Sequence, residues 1–181
     1  MGVDYVALYD AAIILPAKQS VVAYVAAVVR SNRGRYGTLG IPWYALGIIH
    51  GLESGFNFDC HLYNGDPLSA RTVNKPNGRP VVGDPPFTWA ESAHEAVQRA
   101  WKPEQWAGPA DALAFFEHWN GLGYQAHLVN SPYLWSMTNL YSSGKFVADG
   151  KFDSKAVSDQ VGAAAALKAL ALSLSDFGQY T

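Results

Sequence analysis

The stretch IPWYALGIIHGLESGFNFDCHLYNGDPLSART, residues 41–72, decides the fold. Its first half reads as a helix over 41–54. Pro42 suits the first helical turn, where its missing N–H would be unpaired in any case. Leu46, Ile49 and Glu53 follow at three- and four-residue steps, so a carboxylic acid shares a face with apolar side chains. Gly55 supplies a helix stop. A Glu on the apolar side of a last helical turn is expensive to ionise, because desolvation and the negative end of the helix dipole both disfavour the carboxylate. An acid held neutral in this way is suited to donating a proton. The second half reads as two short strands, Phe56–Leu62 and Ala70–Val73, around the turn signal Asn64-Gly65-Asp66. Asp66 therefore follows Glu53 on a small polar hairpin, and Thr72 lies six residues beyond Asp66.

Upstream, Val3 to Ile14 has a helical pattern that Pro16 ends. Ala17 to Arg30 predicts a second, nearly all-apolar helix at the centre of the core. Downstream, Asn74 to Pro86 holds four of the ten prolines together with Gly78 and Gly83, and reads as an irregular loop. Thr88, with Glu91 three residues later, forms a capping box that opens a helix to about Trp101. Pro109 opens another, to about Trp119, which Asn120-Gly121-Leu122-Gly123-Tyr124 ends. Ser131-Pro132 opens a short helix through about Leu140, and Ser154 caps an Ala-rich helix ending near Leu174. The expected architecture is mainly α with a small antiparallel β-hairpin (α+β). It forms a single domain over 1–181 with a hairpin lobe at about 56–86.

The chain of 181 residues is long enough for a sizeable core, and 49% hydrophobic content fits a compact protein. A net charge of −2 provides no basic field, which argues against nucleic acid as a main partner. A single cysteine, Cys60, excludes an intramolecular disulfide. The first residues, MGVDYVALYDAAIILPAKQ, lack a basic region followed by a long apolar stretch. No secretory signal is expected, and synthesis in the cytoplasm is. No apolar run approaches the roughly 20 residues that span a bilayer, so no stable membrane insertion is expected. Six Trp, ten Tyr and eight Phe supply core packing or the walls of a groove for a flat-faced ligand such as a sugar.

Glu53, Asp66 and Thr72 taken together resemble the lysozyme superfamily: Glu at a helix end, Asp on a following hairpin, Thr six residues later. The pattern is similar to that of phage-type lysozymes, with Glu53 and Asp66 further apart in sequence than in that family. The Glu53-Ser54 pair also resembles goose-type lysozymes and lytic transglycosylases. HLYNGDPLSARTV, PFTWAESAHEAV, NGLGY and SPYLWSMTNLY look like a family of phage endolysins and bacterial lysozyme-like proteins, over roughly Tyr36 to Asp153. The resemblance implies a muramidase that cuts the β-1,4 bond between N-acetylmuramic acid and N-acetylglucosamine in peptidoglycan strands. It also implies Glu53 as acid, Asp66 as base across a cleft, Thr72 holding the attacking water, and inversion at the anomeric centre. Glycoside hydrolysis asks independently for such a pair: one acid protonates the leaving oxygen while a second carboxylate activates water or attacks.

Further expected substrate contacts are His50, Tyr63, Asn120, Tyr124, Tyr133, Trp135, Asn139 and Tyr141, since aromatic faces stack on sugars and amides bond acetamido groups. Taken singly, each also reads as a core or capping residue, and His50 as a helix-face support for Glu53. Arg71 and Arg79 flank the hairpin as surface charge or as contacts for anionic wall peptide. His50, Cys60 and His61 lack HExxH or paired-Cys spacing, so neither metal nor cofactor is expected. The expected protein is a monomer acting on the bacterial cell wall. Three alternatives stand beside the muramidase: a lytic transglycosylase, a chitinase- or chitosanase-like hydrolase, and a non-catalytic wall-binding module.

Overall fold

The structure is a computed structural model that describes residues 3–37, 39–172 and 174–177. In chain order the helices are α1 (Tyr5–Ala11), α2 (Gln19–Ser31), α3 (Arg33–Tyr36), α4 (Trp43–Ser54), α5 (Trp89–Arg99), α6 (Pro109–Asn120) and α7 (Pro132–Trp135). Strands β1 (Lys145–Ala148) and β2 (Lys151–Asp153) follow, then α8 (Ala163–Leu170) and α9 (Leu174–Phe177). Among the described residues the protein is mainly helical, at 48%, with one two-stranded antiparallel sheet, which makes it α+β. Among the described residues no helix is long and apolar enough to cross a membrane.

The chain divides into two compact units, residues 31–100 and residues 1–30 with 101–181. In the first, α4 is buried nearly all round: Trp43, Tyr44, Leu46, Ile48, Ile49 and Leu52 are all interior. A helix hydrophobic on every side belongs in a core. The nearly all-apolar segment expected at the centre, α2, is instead mostly exposed. Only Val22, Ala26 and Val29 are buried, a single stripe at four- and three-residue steps, while Tyr24 stays 67% exposed.

The expected strands at 56–62 and 70–73 are absent. That segment is a series of turns with one isolated bridge, Cys60 to Pro67. Pro67 has no N–H for a ladder, and the surrounding backbone donors are taken by side chains, as described below. The hairpin of this protein lies at 145–153, where Phe146 pairs with Phe152 and Asp149-Gly150 makes the turn.

In the unit of residues 1–30 and 101–181, α6 packs on α1, α7 and α8. Leu113, Phe115 and Phe116 of α6 are fully buried, as are Ala163 to Ala166 and Leu167 of α8. The buried Glu117 accepts a hydrogen bond from Tyr5 Oη and another, at 3.2 Å, from Gln125 Nε2. Gly162 lets α8 approach closely, since a Cβ there would lie 2.6 Å from the Leu134 carbonyl oxygen. Helix 132–140 is shorter than expected, and residues 154–162 carry no helix.

Candidate active site

The carboxylic acid singled out by sequence, Glu53, sits partly exposed in the last turn of α4. That turn is closed firmly. Gly55 adopts φ +59° and donates to the Gly51 carbonyl at 3.1 Å, while Phe56 N donates to the His50 carbonyl at 3.3 Å. The Gly55 bond is the single closure that ends a helix at a left-handed glycine, and the Phe56 bond reaches one further carbonyl of the same turn. Phe56 then folds back over Gly51, where a Cβ would meet the ring at 2.5 Å.

The following loop returns to the same place. Gly65 has φ +76°, and a Cβ on it would lie 3.6 Å from the Glu53 carbonyl oxygen. The turn immediately before Asp66 therefore rests against the helix end that carries Glu53. Asp66 is 7% exposed, and its carboxylate accepts three hydrogen bonds: from Val73 N at 2.8 Å, Asn74 N at 2.9 Å and Asn74 Nδ2 at 2.7 Å. Burial opposes its charge, but the bonds from Asn74 and Val73 outweigh burial and hold the carboxyl below its ordinary range. Thr72 is equally committed. Its Oγ1 donates to the Pro76 carbonyl at 2.5 Å and accepts from Arg79 N at 2.9 Å, and its backbone bonds Arg79 O and Gly78 N. Both residues shape the loop, so neither carboxylate nor hydroxyl is an uncommitted group.

Three side chains not expected at the site, His61, Ser92 and Glu95, hold this loop. His61 is fully buried: one ring nitrogen lies 2.8 Å from Ser92 Oγ of α5 and the other 2.8 Å from the Ala70 carbonyl. A carbonyl only accepts, so Nε2 donates to Ala70, and the Ser92 hydroxyl partners Nδ1. Glu95 of α5 accepts from Tyr63 Oη and pairs with Arg79 at 3.1 Å, joining the segments before Asp66 and after Thr72. Burial first, and then the Glu95 hydrogen bond and charge, raise the Tyr63 phenol and keep it protonated as a donor. Ser92 and Glu95 are polar residues set among the buried Trp89, Ala93, Ala96 and Val97. A polar pair three residues apart beside the apolar stripe of α5 was the available signal. Asn74 had none beyond its place in a Pro/Gly-rich loop.

His50 lies inside the unit rather than at a surface open to substrate. It is fully buried, with Nδ1 3.0 Å from Tyr36 Oη and Nε2 3.1 Å from the Asn57 carbonyl. Its ring packs against Phe58 and Trp89 at centroid distances of 4.4 and 4.7 Å. Burial lowers its pKa to about 4, against the partial relief of the Asn57 bond and with the added push of Arg35. A neutral His50 therefore ties α4 to the chain that follows it.

The remaining expected contacts belong to the other unit, and they separate into two groups. Asn120, Tyr124 and Tyr133 line one cavity of about 110 Å³, and the first two also line another of about 390 Å³. Trp135, Asn139 and Tyr141 are brought to other work. Trp135 is 2% exposed in the core. Asn139 accepts from Ile13 N at 2.6 Å and donates to Ala11 O at 3.2 Å, fixing the end of α1. Tyr141 Oη accepts from Ser158 N at 3.2 Å and faces two loop carbonyls. Among the described residues no group of three or more His, Cys, Asp or Glu could hold a metal ion. Compared with protein-family models, curated proteins and solved structures, the chain matches none of them.

Proposed function

We propose that this chain is a lysozyme-like peptidoglycan hydrolase, an N-acetylmuramidase acting on the bacterial cell wall with Glu53 as general acid. The observation that carries the reading is the approach of the Gly65 turn to the Glu53 carbonyl. It brings a fixed carboxylate loop to the helix end that bears a partly exposed Glu. Such an acid protonates the glycosidic oxygen as the bond breaks. A negatively charged, tightly bonded Asp66 stabilises positive charge on the sugar better than it takes up a proton, because a lowered pKa makes a weak base. Under hydrolysis with inversion, Asp66 nonetheless has to orient the attacking water, with Thr72 beside it.

The commitment of Asp66 to three donors favours a second reading, a lytic transglycosylase. That chemistry needs the acid but no second carboxylate, and it closes a 1,6-anhydro ring instead of adding water. One experiment separates these outcomes: purified sacculi are digested with wild type and with Glu53→Gln, and the fragments are weighed. Hydrolysis gives products heavier by one water than transglycosylation, and proton NMR of the first hydrolytic product gives the α anomer if the enzyme inverts. Glu53→Gln is nearly isosteric and removes the transferable proton, so turnover falls at least about a hundredfold. A folded Glu53→Gln protein that digests sacculi at the wild-type rate overturns both enzymatic readings. Binding of sacculi without any fragment release by wild type makes the protein a wall-binding module.

A further inference from the structure

In the unit of residues 1–30 and 101–181, two cavities share a wall. The larger, about 390 Å³, is lined by Asn120, Gly121, Gly123, Tyr124, Phe146 and Asp149, among others. The smaller, about 110 Å³, shares Asn120, Tyr124 and Phe146 and adds Tyr133, Lys145 and Gln160. We infer that the joined cavities bind one N-acylated amino sugar that carries a carboxylate, with Lys145 selecting the carboxylate. That this sugar comes from a peptidoglycan strand rests on the functional reading above.

The shared wall is preformed. Tyr124 Oη accepts from Phe146 N at 3.2 Å, and the two rings meet edge to face at 5.1 Å. Phe152, the cross-strand partner of Phe146, supports it at 5.5 Å and is itself stacked on His127 at 3.9 Å. A rigid aromatic surface with an adjacent amide suits a pyranose ring with an acetamido substituent: the ring's C–H face meets the aromatic wall, and the Asn120 amide supplies a donor and an acceptor. Gly121 and Gly123 add no side chain to the larger cavity, which keeps it wide enough for a ring.

Charge sets the orientation. Lys145 is the one charged residue lining the smaller cavity, and Asp149 is the one charged residue lining the larger. Lys145 faces Asp153 across the strand pair, yet the Asp153 carboxylate accepts from Lys155 N at 2.8 Å. Among the described residues Lys145 has no ion pair. An ammonium group with no internal counter-charge, in a cavity otherwise of amide, hydroxyl and ring groups, attracts an anion. The anionic substituent is therefore directed to Lys145 and the neutral ring to the wider space.

N-acetylglucosamine and N-acetylmuramic acid differ by one lactyl ether carboxylate, so the pair isolates the claim. Each is titrated into the full-length Glu53→Gln protein, and the Gly121, Gly123 and Phe146 amides are followed by NMR. Both sugars are expected to shift those amides, with N-acetylmuramic acid bound about tenfold tighter, the usual worth of one partly exposed charge-assisted bond. Lys145→Met should bring its affinity down to that of N-acetylglucosamine, and Lys145→Arg should keep the preference. Equal affinities in the parent, a Lys145→Met protein that retains the preference, or no shift at these amides overturns the proposal. Strand cleavage by wild type is read separately from product masses. Carboxylate selectivity without cleavage sinks the functional reading and keeps this subsite; cleavage without selectivity does the reverse.

Discussion

Residues 56–88 and the helices α6–α8 meet the same demand, satisfying a buried backbone, by opposite means. In α6 and α8 the backbone bonds itself and the side chains are free to exclude water: Leu113, Phe115, Phe116 and Leu167 are at most 1% exposed. In 56–88 the backbone makes little regular structure, and a few polar side chains stand in for a ladder. Asp66 gathers Val73 and Asn74, Thr72 gathers Pro76 and Arg79, His61 joins Ala70 to Ser92, and Arg71 bonds the carbonyls of Pro80 and Gly83. The first solution spreads stability over many weak contacts. The second concentrates it in single atoms, which fits a loop whose shape has to be specified closely beside a candidate acid.

The largest expected effect tests the apolar half of that contrast. Phe116→Ala removes a fully buried ring from α6 and should cost about 3–5 kcal/mol in chemical denaturation, with loss of hydrogen-exchange protection in α6 and α8. A cost under about 1 kcal/mol would mean that this helix is not held by burial.

Next in size is an acid-driven loss at His50. Its folded pKa of about 4 lies below the ordinary 6.5, so on acidification the unfolded chain binds the proton first. The stability His50 contributes is whole above about pH 6.5 and is lost between 6.5 and about 4, at up to about 1.4 kcal/mol per pH unit. Its ring C–H resonances should not titrate between pH 7 and 5.5. A midpoint near 6.5 would show that the aromatic enclosure of Phe58 and Trp89 does not desolvate the ring.

How much of this contrast the sequence carries depends on which solution a segment uses. The helices signalled by backbone chemistry are legible: Thr88 and Glu91 form the capping box expected of them, Pro109 opens α6, and Gly55 closes α4. Composition alone does not place α2: it is nearly all apolar, yet only the stripe Val22, Ala26 and Val29 is buried. The loop reads as strands because alternation in Phe56–Leu62 resembles a ladder, while the bonds that replace it join residues four to thirty-one apart. Asp149-Gly150 between Phe146 and Phe152 is the hairpin signal that forms a ladder, and Asn64-Gly65 is not. At the candidate site, residue types were readable and their commitments were not. Nothing in HLYNGDP says that Asp66 will spend both oxygens on its own loop.

A smaller effect tests the polar half. Asp66→Asn replaces an acceptor of three bonds by an amide that turns an N–H toward backbone donors, and should cost about 2 kcal/mol. Because the Asp66 carboxyl is held below its ordinary range, this stability is whole above that range and lost as pH falls through the folded pKa. The wild-type and Asp66→Asn proteins should therefore converge in stability in strong acid. Curves that stay parallel to pH 2 would show that the three bonds do not favour the charged form.

The smallest effect is expected at Glu95, where the polar solution meets the apolar helix α5. Glu95 accepts from Tyr63 and pairs with Arg79, and the two charged side chains are only 17% and 21% exposed. Partial burial strengthens their attraction and also charges each of them for lost hydration, so the pair nets little. Arg79 adds to that cost, since its buried Nε has no hydrogen-bond partner. Glu95→Gln keeps the shape and one acceptor oxygen and should lower stability by about 1 kcal/mol or less. In a double-mutant cycle with Arg79→Met, the coupling should stay within about 1 kcal/mol. The consequence sought is in position: the Asp66 and Thr72 amide resonances should shift in Glu95→Gln, because Glu95 holds the chain on both sides of them. A coupling of several kcal/mol would make this pair, rather than the carboxylate of Asp66, the main tie of the loop, while unmoved resonances would show that Glu95 stabilises α5 without shaping the loop it touches.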